Sequence, residues 1–167
     1  MRGRVLVLAG LLAAVTAPAA GAPAAPGFRV TTVDGRRVID SKELIGKKVI
    51  VLRFQASYCK PCAAESAALN RLAGRYRDRD VEIVAVHVQD TVKDTRAFIR
   101  TNRVAYPVAL DPRLTLGNRF GFKGVPYTVV IDRKGEIAAR WAGENAVRRL
   151  PKLLDALTQP PRASASP

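Results

Sequence analysis

The only two cysteines of this 167-residue chain stand three positions apart, in Cys59-Lys60-Pro61-Cys62, at a junction between two hydrophobic periods. Before them, residues 49–54 form an apolar, β-branched run whose one charged member is Arg53. After them, Ala64, Ala68, Leu69, Leu72, Ala73 and Tyr76 recur at helical spacing. A strand is therefore expected to run into a helix, and Pro61 suits that helix's first turn, where its missing N–H is not needed. A disulfide closing so small a ring adds little stability, because the chain-entropy gain grows with loop length. Redox exchange or metal binding is the better use of the pair. Tetrahedral metal sites want four ligands, and His87 is the only imidazole, so no metal and no other cofactor is expected.

The helix N-terminus favours an anion. A thiolate at Cys59 would meet first-turn N–H groups and the positive end of the helix dipole, both of which lower a cysteine pKa, and Lys60 adds a nearby cation. Cys59 is thus the expected attacking thiol. Cys62, one turn in, is placed to resolve a mixed disulfide by displacing Cys59.

The remaining pattern alternates. Residues 28–33 and 37–39 flank Asp34-Gly35, a hairpin signal, and a capped helical turn follows at residues 41–46. Residues 81–88 are nearly all apolar, as in a strand buried on both faces. A helix is expected over 91–101 with Val92, Phe98 and Ile99 inward, then a short strand over 106–110 and a short helix through Leu114, Leu116 and Phe120. A second hairpin, 127–131 with 137–141, turns at Asp132-Arg133-Lys134-Gly135, and a last helix lies within 144–157, where Pro151 must start, kink or interrupt it. The order argues an α/β domain with a mixed central sheet flanked by helices.

Composition narrows function by exclusion. The balance of 28 Lys+Arg against 14 Asp+Glu gives a formal charge of +14. The basic residues are scattered rather than clustered, and no aromatic platform accompanies them, so no nucleic-acid role is expected. Residues 1–22 carry a basic start, an apolar run over 5–15 and a small-residue stretch, the layout of a secretory signal with a cleavage site near 19/20. Membrane contact is expected only if that segment stays uncleaved, since the run is shorter than the ~18 residues of a spanning helix. A linker is expected at 23–27, the folded domain at 28–158 and a disordered tail at 159–167.

Several motifs, in order, resemble one group. Val33-Asp34-Gly35, the Leu44-x-Gly46-Lys47 lead, Ala56-Ser57-Tyr58-Cys59-Lys60-Pro61-Cys62, Glu65, Gly124-Val125-Pro126 and Asp132-x-x-Gly135 together are similar to the exported TlpA/ResA/CcmG-like thiol-disulfide oxidoreductases. The resemblance covers about residues 28–157. It implies a thioredoxin-like fold with an N-terminal β-hairpin extension and a central βα insertion, acting as a monomer. It further implies a periplasmic or other extracytoplasmic location, client protein thiols or disulfides as substrates, and a membrane thiol protein as electron donor. Most such relatives are reductants, serving cytochrome c maturation or copper-site thiols.

Carried over by position, Pro126 resembles the family's cis-proline beside the active-site cysteines, with Val125 offering backbone hydrogen bonds to a client. Tyr58 takes the place of the usual Trp as a flat cap, and Lys60 lies beside it in the client-facing loop. Glu65 occupies the position of an acid that tunes the cysteine pKa values or relays a proton. Arg53 stands where thioredoxin has a buried acid; it either pairs with Glu65, depresses the cysteine pKa values itself, or snorkels from an edge. Tyr127 replaces an acid common in cytochrome-maturation members. His87 ends a strand expected beside the one bearing the site, as a satisfied strand-end histidine or a neighbour of the cysteines.

Three rival functions follow from the same residues. A disulfide-introducing oxidase would share this scaffold, because Arg53 and Lys60 both stabilise thiolate. A peroxidase of the peroxiredoxin type wants Pro-x-x-x-Thr/Ser-x-x-Cys, and Leu52 and Ala56 occupy those positions. A copper-delivery module would use both thiolates and His87.

Overall fold

The computed structural model describes residues 21–159. The signal segment, apart from its last two residues, and nearly all of the tail lie outside that span. A short antiparallel hairpin, β1 (Arg29–Thr31) and β2 (Val38–Asp40), is followed by one helical turn, α1 (Ser41–Leu44). A five-stranded sheet then forms in the order β5-β4-β3-β6-β7, from β3 (Val49–Gln55), β4 (Val81–Val88), β5 (Val108–Asp111), β6 (Tyr127–Ile131) and β7 (Ile137–Ala142). β3, β4 and β5 run parallel, and β6 and β7 antiparallel to their neighbours, so the sheet is mixed. Helices α2 (Lys60–Tyr76), α3 (Val92–Thr101), α4 (Thr115–Arg119) and α5 (Ala146–Thr158) complete the chain.

Strand periodicity assigns the two faces. In β3, Ile50, Leu52 and Phe54 join Val84, Val86, Val129 and Ile131 in one core with Phe28 and Phe120. Val49 and Val51, out of phase by one, join Ile83, Ala85 and Val130 in a second core under Leu69, Leu72 and Tyr76 of α2 and Leu150 and Leu154 of α5. Period-two alternation therefore sends Arg53 and Gln55 of β3, His87 of β4 and Thr128 of β6 to the α2 side. Register aligns them: Arg53 lies opposite Thr128, and Gln55 opposite His87. The sheet thus ends in a polar patch beneath the start of α2.

The opening hairpin is shorter than its sequence suggests. Thr32 bridges to Ala109, and the Val33 N–H donates to the Val108 carbonyl at 2.8 Å, so the chain leaves β1 to cover the outer edge of β5. The 23–27 segment is also tied down, by an Ala24–Glu136 bridge and an Ala25 N–H to Gly135 carbonyl bond of 2.8 Å. The strand expected at 106–110 begins only at Val108, since Pro107 has no N–H to give, although its carbonyl accepts from Ala85. Val92 is exposed rather than inward. Thr91 caps α3, so Val92 begins the first turn, and Thr95 and Phe98 carry the buried face. Pro151 sits inside a continuous α5. α3 and β5 intervene between β4 and α4, which is the central insertion.

Candidate active site

Cys59 is the N-cap of α2. Its Sγ accepts the Cys62 N–H at 3.2 Å and is disulfide-bonded to Cys62, with Cα atoms 5.2 Å apart. The sulfur therefore occupies the place where a capping oxygen usually satisfies a first-turn amide. Cys59 is 5% exposed and Cys62 1%, and both pack with Ala56, Phe98 and Val125. The Val125–Pro126 peptide is cis. Tyr58, at 61% exposure, projects from the loop just before the disulfide, and Lys60 is exposed at the first helical position.

The patch beneath is built from two pairs that register places side by side. Arg53, only 1% exposed, donates to Glu65 on α2 and to Thr128 Oγ1 at 2.9 Å. Arg53 is therefore neither snorkelled nor an isolated cation. Burial pushes the Glu65 carboxyl up, and the adjoining Arg53 guanidinium pulls it down less strongly. Burial likewise lowers the Arg53 pKa, against the pull of Glu65.

The second pair is Gln55 with His87. His87 is fully buried; its Nε2 lies 2.9 Å from the Gln55 amide nitrogen and its Nδ1 2.7 Å from Asp90 Oδ2. With the Gln55 amide donating to Nε2, the ring is neutral and carries its proton on Nδ1, facing Asp90. Burial pushes its pKa down, and Asp90 opposes that shift. Gln89, in the left-handed region at φ 53°, ends β4 and turns Asp90 back under the loop. There Asp90 also accepts from the Ser57 N–H and Oγ, each at 2.7 Å. One carboxylate thus ties β4 to the turn that presents Cys59. His87 lies near the cysteines and has both nitrogens satisfied. Tyr106 closes the patch: its hydroxyl is buried without a hydrogen bond, facing Ser66 and Gln55.

Every predicted site residue falls in or around this region. Tyr58, Cys59, Lys60, Cys62 and Glu65 lie on one loop and helix, Arg53 beneath them, and Val125 against the cysteines. Sequence reasoning missed Gln55, Ser57, Asp90, Tyr106 and Thr128. The available signal for Asp90 was an acid three residues past the only histidine, at a strand exit; for Thr128 it was a polar residue inside an apolar strand.

The AhpC/TSA family matches residues 22–140. The chain belongs to the AhpC/TSA family. ResA, a thiol-disulfide oxidoreductase of Bacillus thuringiensis (strain Al Hakam), is 31% identical over 134 residues, covering 80% of this chain and 76% of that one. The structure of MTB DsbF, solved in mixed oxidised and reduced forms, superposes with a TM-score of 0.70 at 25% identity, over 78% of this chain and 95% of that one. A thioredoxin family thiol:disulfide interchange protein from Chlorobium tepidum TLS has the same fold, with a TM-score of 0.75 at 23% identity, over 84% and 99% of the two chains. Within this AhpC/TSA chain the grouping is TlpA/ResA/CcmG-like, and the protein is a thiol-disulfide oxidoreductase of thioredoxin-like fold. The peroxidase signature's proline and hydroxyl positions are held by Leu52 and Ala56, both fully buried and apolar.

Proposed function

We propose that this protein reduces client protein disulfides outside the cytoplasm, with Cys59 as attacking thiolate and Cys62 as resolving thiol. The capping of α2 by Cys59 Sγ carries the assignment of roles, because the group that accepts the Cys62 N–H is the one whose negative charge that amide stabilises. In the reduced protein, Cys59 thiolate attacks one sulfur of a client disulfide. The client's other sulfur leaves as thiolate, and a mixed disulfide joins client and Cys59. Cys62, deprotonated, then attacks Cys59 Sγ, releasing the second client thiolate and forming the Cys59–Cys62 disulfide. A membrane dithiol protein restores the reduced form by the same exchange in reverse.

The cis Val125–Pro126 peptide and the exposed Tyr58 flank the disulfide and form the client-facing surface. Glu65 serves as the proton acceptor for Cys62, its raised pKa bringing a carboxyl closer to a thiol in basicity.

The Arg53–Glu65 pairing cancels one of the two cations that would favour an oxidant, leaving Lys60 as the other. Alone, Arg53 would stabilise thiolate and favour an oxidant; paired with Glu65 it contributes little net charge beneath the sulfurs. A copper-delivery role is disfavoured because His87, the third ligand it would use, has both ring nitrogens engaged.

Equilibration of the Cys59/Cys62 couple with a thiol redox buffer tests the direction. A potential near or below about −250 mV, in the range of thioredoxin, supports the reductase; one near about −120 mV, like DsbA, overturns it in favour of disulfide introduction. Cys62→Ser is expected to accumulate a mixed disulfide on Cys59, and Cys59→Ser none.

A further inference from the structure

A groove lies toward the opposite end of the sheet from the disulfide. Between the C-terminal part of α2, α3 and the loop of the opening hairpin is a cavity of about 820 Å³. It reaches the start of β4, whereas β3, parallel to β4, delivers Cys59 from its far end. Its volume is that of a small-molecule site, which typically spans ~300–1,000 Å³. The floor is apolar, with Ile83, Ile99, Val104 and the ring of Tyr106, and the rim carries Arg36, Arg37, Lys48, Arg77, Arg96 and Arg100.

The rim's charge is not cancelled by its acids. Glu82 is held by Arg37 at 3.0 Å and by Lys48 at 3.3 Å. Asp34, itself exposed, accepts from the Thr32 hydroxyl at 2.5 Å and the Arg36 N–H at 3.1 Å, so two acids stand against six rim cations. All 14 Asp and Glu residues lie within the described span. Among those residues, the side chains of Arg36, Arg77, Arg96 and Arg100 have no carboxylate within salt-bridge distance; Arg96 reaches only the Val33 carbonyl, at 3.3 Å. Arg96 and Arg100 are one turn apart on α3 and present two guanidinium groups beside Ile99.

An apolar floor beneath unneutralised guanidinium groups matches an acid group on an apolar body. We propose that this cavity binds an amphipathic carboxylate or phosphate, its acid group held by Arg96 and Arg100 and its apolar body laid over Ile99 and Val104. Guanidinium groups suit this role because they hold carboxylate and phosphate in a planar fork. An acidic peptide fits less well. Peptides commonly bind by adding a strand to a free sheet edge, and here Thr32 and Val33 already occupy the outer edge of β5.

Calorimetric titration of the oxidised protein with dodecanoate, below its micelle concentration, tests the site. Dodecanoate is expected to saturate at one equivalent and to bind more weakly at 500 mM than at 50 mM salt, while dodecyltrimethylammonium, with the same tail and a cationic head, does not bind. Arg96→Glu with Arg100→Glu, both exposed positions, should weaken dodecanoate at least tenfold, given ~1.5–3 kcal/mol per hydrogen bond to a charged group. The milder Arg96→Gln with Arg100→Gln should do so in the same direction. Circular dichroism of each variant confirms the fold. Absence of saturable binding, equal affinity in the charge-reversed variant, equal binding of the cationic amphiphile, or inorganic phosphate binding as tightly as dodecanoate would each overturn the proposal. So would tighter binding of an acidic Leu-rich peptide, which would make the rim a protein-docking surface.

Discussion

The Arg53–Glu65 pair makes a quantitative demand on stability that the two partners do not share equally. Arg53 is 1% exposed and Glu65 18% exposed. Replacing Glu65 with Leu leaves a buried guanidinium that cannot shed its proton, with Thr128 as its one remaining partner at 2.9 Å. Breaking a buried ion pair by removing one member costs about 3–5 kcal/mol. The retained Thr128 bond and the partial exposure at Glu65 place this case near the lower end, at about 3 kcal/mol. Replacing Arg53 with Met instead leaves a carboxylate at the border of solvent whose pKa is already raised by burial. That group can hydrate or take up a proton, so the cost is smaller, about 1–2 kcal/mol.

The double variant Arg53→Met with Glu65→Leu removes both charges into similar apolar volume and should recover to within about 1.5 kcal/mol of the parent. Urea unfolding of the oxidised protein at pH 7, followed by far-ultraviolet circular dichroism, reads all four corners of the cycle. With a slope of about 1.5–2 kcal/mol per M, as is typical for a small domain, Glu65→Leu should lower the midpoint by about 1.5–2 M. A loss below about 1 kcal/mol for Glu65→Leu would refute the reasoning. A double variant less stable than Glu65→Leu alone would do the same.

Two further outcomes concern the second pair. Burial depresses the native His87 pKa below its unfolded value of about 6.5, so as pH falls the unfolded chain takes the proton first. The His87 contribution to stability is therefore intact above about pH 6.5 and is lost as pH drops below it; urea midpoints between pH 7.5 and 5 should fall, and His87→Asn should flatten that slope. The groups facing this ring are Asp90, Gln55 and the edge of Phe98, so an unchanged slope would mean that a different group titrates. Asp90→Ala strips the acceptor from the Ser57 N–H and Oγ and from His87 Nδ1, with an expected loss of about 2–3 kcal/mol and faster amide hydrogen exchange at Ser57. Exchange no faster than in the parent would show that Asp90 does not clamp this turn.

Most of the architecture was legible because local signals agree. The uniform apolar run of β4, the apolar, β-branched run of β3 and the proline in the first turn of α2 each specify one element, and β3 and β4 share a direction because a helix joins them. Cys59 and Cys62 were legible for the same reason, since a strand-to-helix junction fixes where a cysteine cap must sit. The partner of Arg53 was open among three readings. Deciding it required knowing that Arg53 is in phase with Val49 and Val51, on the side α2 covers. The roles of Asp90, Tyr106 and Thr128 were not legible, although Asp90 stood three residues past the only histidine and Thr128 was a polar residue inside an apolar strand. Each becomes part of the site through strand register or a loop that doubles back, and no local spacing encodes either. The hairpin's early end has the same origin, because Thr32 and Val33 pair with a strand more than seventy residues away.

The balance beneath the disulfide also predicts opposite shifts of redox potential for the two halves of the ion pair. On the roles proposed for the two cysteines, the oxidised couple carries no charge on sulfur and the reduced couple a thiolate at Cys59, so a nearby charge acts on the reduced form alone. Glu65→Leu uncovers the Arg53 guanidinium, which stabilises that thiolate and makes the couple more oxidising. Arg53→Met leaves the Glu65 carboxylate without its counter-ion, which disfavours the thiolate and makes the couple more reducing. Each 1.4 kcal/mol of differential stabilisation moves a two-electron potential by about 30 mV, and the Cys59 pKa, read from the pH dependence of iodoacetamide alkylation, should fall in the first variant and rise in the second. A structural perturbation from either substitution would loosen the loop in both variants and has no reason to move the potential in opposite senses. Shifts of the same sign would therefore show that the pair shapes the loop rather than its electrostatics, and the charge argument for a reductant would go with it.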